Sequence, residues 1–193
     1  MIRIATVADL PDMLAIYAPY VETTTYSFEY AAPTLEQFTT RFEKYTQQCP
    51  WLVWEENGRV LGYAYGSLPF QRAAYSWCAE VSIYLAPEIH GQGIGRKLYA
   101  VLEEILWRQG YRVIYSLITS ENTGSLAFHE KVGYEYCTTL NGCGVKFGRE
   151  LGVVWMEKRS KTKELPTSFP LPWASVVDTD RKWSDILDKL SLF

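Results

Sequence analysis

Along Ala79-Glu80-Val81-Ser82-Ile83-Tyr84-Leu85, polar and apolar residues alternate. A period of two puts Glu80, Ser82 and Tyr84 on one face of a strand and Val81, Ile83 and Leu85 on the other. Trp77 and Tyr84 flank the carboxylate. Desolvation there would raise its pKa toward neutrality, which suits Glu80 to general-base work. The strand runs into His90-Gly91-Gln92-Gly93-Ile94-Gly95-Arg96, which opens a helix. Backbone N–H groups at a helix start have no intrahelical partner, and the helix dipole adds positive charge. Gly91, Gly93 and Gly95 let a ligand approach the main chain. Such a turn is suited to binding a pyrophosphate, and Arg96 and Lys97 add charge on the first helical turn.

A glycine-rich turn is compatible with several phosphate ligands, and two alternatives fail on spacing. A dinucleotide fold wants Gly-x-Gly-x-x-Gly after the first strand, with an acidic residue further on. Here the glycines lie deep in the chain at positions 91, 93 and 95. A Walker A loop needs Gly-Lys-Ser/Thr, which is absent.

The stretch resembles the coenzyme A loop of GNAT N-acetyltransferases, whose pattern is Arg/Gln-x-x-Gly-x-Gly/Ala. Asn122-Thr123-Gly124-Ser125-Leu126-Ala127-Phe128-His129-Glu130-Lys131-Val132-Gly133-Tyr134 resembles the second signature of that family, at the expected separation. More narrowly, three features are similar to the phosphinothricin and methionine sulfoximine acetyltransferase branch: Trp77-x-x-Glu80-x-Ser82-x-Tyr84, the His-Glu-Lys-x-Gly-Tyr run, and Lys146-Phe147-Gly148. His90 departs from the Arg or Gln usual at the first motif position.

The resemblance implies acetyl transfer from acetyl-CoA to an amine, directly within a ternary complex. That reaction must remove a proton from the ammonium, stabilise an oxyanion and deal with a departing thiolate. Glu80 matches the proposed base of the branch. His129 stands where many members carry a tyrosine that protonates the thiolate, and histidine titrates near neutral pH. The backbone of Ile83, Tyr84 and Leu85 should pair with the pantetheine arm like an added strand. Gly91, Gln92, Gly93, Ile94, Gly95 and Arg96 should hold the pyrophosphate. Asn122 should touch pantetheine, serve as a helix N-cap, or both. Thr23–Glu29 looks like the acceptor loop, with Phe28 and Glu29 facing the pocket. Gln71–Tyr75 resembles the segment that holds an acceptor carboxylate, through the planar fork of Arg72 with Tyr75 beside it. Ser82 joins them.

The elements that must position these groups read as follows. Residues 2–7 alternate as a strand, and Asp9 precedes a helix. Thr34-Leu35-Glu36-Gln37 is a capping box for a second helix to about Gln48. Trp51–Trp54 and Val60–Tyr65 flank Asn57-Gly58, which predicts a type I′ hairpin. The strand at 79–85 and the glycine turn lead to a helix from about Gly93 to Gln109, stopped by Gly110. Val113–Ile118 is apolar on both faces, as in a central strand. A short helix covers about 123–132. A meander follows over 135–140, 143–148 and 151–157, turning at Asn141-Gly142. The fold class is α/β: a single GNAT-type domain over 1–158 with a mixed central sheet flanked by helices. Residues 159–193 form a C-terminal extension, with an amphipathic helix over 180–191 that packs on the domain or on a partner subunit.

The chain has 193 residues, 48% apolar and 21% charged, enough for a packed core. Nineteen basic against twenty-two acidic side chains give a net charge of −3, without the basic excess of a nucleic-acid binder. No apolar run suits a membrane span, and Met1-Ile2-Arg3 does not open a signal peptide, so a cytoplasmic protein is expected. The four cysteines form no Cys-x-x-Cys pair and only two histidines exist, so no metal site is expected. The partners implied are a small-molecule amine acceptor and, from the resemblance, a second copy in a homodimer. Other functions stay open: an acetyltransferase for another small amine or a peptide N-terminus, and a non-catalytic acyl-CoA-binding module.

Overall fold

A computed structural model describes residues 1–177 and 180–190, without the side chains of 180 and 181. Seven strands form one sheet in the order β1-β2-β3-β4-β5-β7-β6. They are β1 (Ile2–Ile4), β2 (Trp51–Glu56), β3 (Arg59–Ser67), β4 (Cys78–Leu85), β5 (Val113–Thr119), β6 (Glu135–Lys146) and β7 (Arg149–Arg159). Every pairing is antiparallel except β4 with β5.

Helices α1 (Leu10–Thr23) and α2 (Leu35–Thr46) cover one face of the sheet. Their Leu10, Met13, Tyr17, Val21, Phe38 and Phe42 bury against Trp51, Val53 and Tyr63. Helices α3 (Ile94–Gln109) and α4 (Thr123–Lys131) lie on the other face. There Leu98, Leu102, Ile105 and Leu106 of α3 join Leu52, Ala64, Val81, Ile114 and Ile118 in a second cluster. Full burial of each such aliphatic side chain stabilises the fold by roughly 1.5–3 kcal/mol.

Local signals place most boundaries. Thr34 and Gln37 form the capping box, with Gln37 N donating to Thr34 Oγ1 at 3.2 Å and Thr34 N to Gln37 Oε1 at 2.9 Å. Asn57 and Gly58 both have positive φ, as the hairpin turn requires. Gly110 ends α3 with a φ of 102°.

Two expectations need correction. β1 stops at Ile4, because Thr6 turns the chain through bonds from its N–H (2.7 Å) and hydroxyl (2.9 Å) to Asp9. The Asp9 carboxylate is thereby used behind α1, which starts at Leu10 without a side-chain cap. Asn141-Gly142 is not a hairpin turn. β6 continues through it to Lys146 and pairs with β7 on both sides, at Leu140↔Val153 and Gly144↔Leu151. Asn141–Cys143 opposes Gly152 alone, so it bulges. The hairpin turn is Phe147-Gly148, with φ of 50° and 70°.

The chain after β7 packs on α3 of the same molecule. Helices α5 (Trp173–Val177) and α6 (Asp180–Leu190) place Trp173, Val176, Trp183, Ile186, Leu187 and Leu190 against the α3 cluster. Gln109 Nε2 donates to Leu171 O at 2.8 Å, and Trp173 Nε1 to Thr46 O at 2.6 Å. Residue 191, which the amphipathic pattern includes in the last helix, lies outside the described residues.

Candidate active site

The parallel β4–β5 pairing covers only Cys78–Glu80 against Val113–Tyr115. Beyond that point the strands part, and a cleft opens between them. Val81, Ser82, Ile83 and Tyr84 line one side, and Ser116, Leu117, Ile118 and Thr119 the other. Tyr99 of α3, Asn122 just before α4, and Ser125 and His129 of α4 line the cleft as well, together with Tyr20 and Tyr26. The edge of β4 left without a strand partner is where an extended amide chain would add as a strand.

The glycine turn lies at the end of this edge. Gly91 (φ 75°) and Gly93 (φ 78°) are left-handed, and space beside both is open. Gly93 is the N-cap of α3 and offers no side-chain cap to the first N–H groups. Gly95 has a different reason. A Cβ there would lie 3.3 Å from Ile83 Cδ1 and 3.4 Å from Phe128 Cε2, so this glycine lets α3 pack closely on β4 and α4. Gln92 turns back and donates to Glu88 O at 2.8 Å, bracing the loop. Arg96 is exposed on the first turn, whereas Lys97 leans over the Trp54 ring at 5.5 Å. His90 Nε2 lies 3.1 Å from both Leu85 O and Tyr20 Oη, and Tyr20 donates to the same carbonyl at 2.6 Å. The unusual histidine therefore ties the loop to the end of β4 and to α1.

Glu80 occupies the last paired position before the strands part, opposite Ser67 on β3 and Tyr115 on β5. Its carboxyl is half-buried, and among the described residues it has no hydrogen-bond or ion-pair partner. Desolvation raises its pKa above the usual carboxyl value. Ser82 follows on the same face, opposite Tyr65.

His129 is buried, with 1% exposure. Its Nδ1 lies 2.8 Å from Ser125 O. A carbonyl only accepts, so Nδ1 carries the proton and Nε2 accepts. The donors available to Nε2 are the Ser116 hydroxyl at 2.8 Å and the Tyr99 hydroxyl at 3.1 Å. Burial lowers the pKa of the ring to about 4, against the supporting Ser125 bond. The ring is neutral at pH 7. This differs from the expectation of an imidazole titrating near neutrality: its one proton is committed to backbone, and the protons near the cleft belong to hydroxyls. Asn122 is the N-cap of α4, accepting from Ser125 N at 3.0 Å, and it also lines the cleft.

The acceptor-side residues are less concentrated. Phe28 is partly exposed and lies over Gly144 of β6. Glu29 is paired with Arg41 of α2 at 2.5 Å, and that guanidinium sits over the rings of Tyr17 and Phe38. Arg72 is exposed and its guanidinium has no partner among the described residues, and the Tyr75 ring lies tilted against Phe70, centroids 4.8 Å apart. The loop bearing Phe28 is pinned across the cleft mouth, with Thr25 donating to Glu121 at 2.9 Å and Arg149 bonding both oxygens of Glu121 at 2.9 and 3.1 Å. Reading by motif missed Tyr20, Tyr26, Tyr99, Ser116 and Ser125. Of these, Ser125 carried a visible signal, four residues before His129 on the same helix face.

Comparison with known proteins agrees with this geometry. The acetyltransferase (GNAT) domain family matches residues 2–155. The chain belongs to the GNAT family. It is 38% identical over 162 residues to phosphinothricin N-acetyltransferase of Alcaligenes faecalis, covering 81% of each chain. It is 36% identical over 160 residues to the L-methionine sulfoximine/L-methionine sulfone acetyltransferase of Pseudomonas paraeruginosa, covering 81% of this chain and 92% of that one. A solved GNAT superfamily phosphinothricin acetyltransferase from Sinorhizobium meliloti, in complex with AcCoA, superposes with a TM-score of 0.82 at 32% identity, covering 88% of this chain and 95% of that one. This GNAT protein is an acetyl-CoA-dependent N-acetyltransferase.

Proposed function

We propose that this GNAT enzyme acetylates the amino group of a small amino-acid-like acceptor, such as phosphinothricin or methionine sulfoximine, by direct transfer in a ternary complex. The observation that carries the reading is Glu80: a desolvated carboxylate at the fork of β4 and β5, without a partner among the described residues. The names of the two curated relatives support the acceptor class.

In this reading the acceptor ammonium gives one proton to Glu80, directly or through water. The free amine attacks the acetyl carbonyl, the C–N bond forms and the C–S bond breaks. The nitrogen's second proton leaves as the product amide forms, and the thiolate gains one. The hydroxyls of Ser116 and Tyr99, held against His129, are the nearest proton carriers on the α4 side. Ile83, Tyr84 and Leu85 hold the pantetheine arm with Asn122, and residues 91–96 hold the pyrophosphate, with Gly95 acting through helix packing. Phe28, Glu29, Arg72, Tyr75 and Ser82 surround the acceptor. Residues 1–158 form the catalytic domain, and 159–193 a C-terminal extension whose described helices pack on α3. The enzyme works in the cytoplasm as a homodimer.

Release of coenzyme A thiol, measured across a panel of amino acids, decarboxylated amines and short peptides, tests the proposal. Amino acids should be the preferred acceptors. Preference for peptides or simple amines would overturn the acceptor class, and no release with any amine would overturn catalysis.

A further inference from the structure

The end of β6 is occupied with one task, holding the segment that follows α1. Lys146 is 1% exposed, yet no carboxylate pairs with it among the described residues. Its ammonium donates to Val21 O at 2.6 Å and to Ser27 O at 2.7 Å. Val21 lies in the last turn of α1, where carbonyls lack intrahelical partners and attract a cation. The remaining side of the ammonium faces the Phe147 ring at 5.0 Å. One residue back, Val145 O accepts from the Tyr30 hydroxyl at 2.8 Å. Two residues back is Gly144, on the same strand face as Lys146. A Cβ at Gly144 would collide with Phe28 Cε2 and lie 2.7 Å from Cδ2. The φ of Gly144 is outside the left-handed region, so the Phe28 ring, not the backbone, is what demands glycine there.

The bulge at Asn141–Cys143 makes this arrangement possible. It shifts the register of β6 against β7 by two residues between Leu140 and Gly144, which keeps the strand face and brings Gly144 opposite Leu151. An ammonium buried on backbone carbonyls is a costly way to close a hairpin, and an exposed lysine would do so at less expense. The bonds it makes act instead on the shape of residues 21–30.

We infer that Gly144 and Lys146 are positioning residues for the acceptor: they fix the Ser27 carbonyl and the Phe28 ring, and thereby the wall of the acceptor pocket. This rests on the proposal that Phe28 and Glu29 border that pocket. Neither residue touches the reacting atoms, so substitutions should act on acceptor binding and spare the site for acetyl-CoA.

Two variants test the inference. Gly144→Ala forces the Phe28 ring aside, and the Michaelis constant for the preferred amino acid should rise at least about tenfold. The constant for acetyl-CoA and the melting temperature should stay as in the wild type. Phe28→Leu removes the colliding ring, so Ala at 144 should change little in that background. An unchanged acceptor constant, or an equal effect in both backgrounds, overturns the inference. Lys146→Met leaves the two carbonyls unsatisfied. Amide hydrogen exchange over 24–30 should accelerate while that of α3 does not, and wild-type exchange there would also overturn the inference. The exchange measurement needs no acceptor, so it still decides if the wild-type enzyme acetylates no amino acid and the functional proposal itself fails.

Discussion

His129 donates from Nδ1 to the carbonyl of Ser125, one turn earlier in α4, at 2.8 Å. That bond fixes the tautomer and turns the lone pair of Nε2 toward Ser116 and Tyr99. It makes the ring an acceptor for neighbouring hydroxyls rather than an acid in its own right.

Fold stability should register this burial. The ordinary histidine pKa of 6.5 falls to about 4 in the folded protein. Between these values the unfolded chain binds more protons than the folded one, so stability drops as the pH falls through the window and is full above it. The total is about 3 kcal/mol, with about 2 kcal/mol of it lost between pH 7 and pH 5. Glu80 and Glu103 have raised pKa values, so they contribute in the opposite direction. Comparison with His129→Gln isolates the histidine. Denaturant unfolding at pH 7 and pH 5 should show a smaller loss in the variant, and equal losses would refute the neutral, buried ring.

Glu80→Gln should lower the turnover rate by roughly 10²–10⁴, the usual contribution of a general base. In the wild type, turnover should rise with pH through the raised Glu80 pKa, with its midpoint above the ordinary carboxyl range. The variant should lack that limb. Gln carries no charge to desolvate, so the melting temperature at pH 8 should not fall. A variant that keeps the acidic limb would assign it to another group.

Gly93 and Gly95 of the turn should separate in their effects. Gly93→Val puts a branched side chain on a left-handed residue beside the free N–H groups of α3, so acetyl-CoA affinity measured by calorimetry should fall. Gly95→Ala instead meets Ile83 and Phe128, so its main effect should be a lower melting temperature. Loss of acetyl-CoA affinity in Gly95→Ala without loss of stability would falsify the packing role.

These contrasts mark how far the sequence was legible. Signals carried by residues close together in the chain gave the correct elements: the Thr34–Gln37 box, Asn57-Gly58, and the run from β4 through the glycine turn into α3. Asn141-Gly142 misled because a local turn preference cannot report that β6 rejoins the same partner beyond a bulge. Phe147-Gly148 was passed over because phenylalanine is rare at positive φ. His129 was found by position in a motif, but its neutrality comes from burial, and the hydroxyls that donate to it, Ser116 and Tyr99, reach it from another strand and helix. Lys146 was noticed as part of a motif, and its burial depends on Val21 and Ser27, more than a hundred residues away in the chain.

Arg72 gives the sharpest test of the acceptor class. It leads the 3₁₀ turn at Ala73–Tyr75, its guanidinium is in solvent, and no described residue bonds it. A surface arginine without a partner contributes little to stability, so its replacement should leave the melting temperature unchanged. If the acceptor's carboxylate is what it awaits, Arg72→Lys keeps the charge but loses the planar fork. The Michaelis constant for amino-acid acceptors should then rise about tenfold, near the value of one charge-assisted hydrogen bond. The constant for acetyl-CoA should not move. The decarboxylated analogue of the preferred amino acid should be a poor substrate of the wild type and respond little to the substitution. If the wild type acetylates the amine and the amino acid equally well, Arg72 holds no carboxylate, and the enzyme is a general small-amine acetyltransferase whose acceptor pocket selects by shape alone.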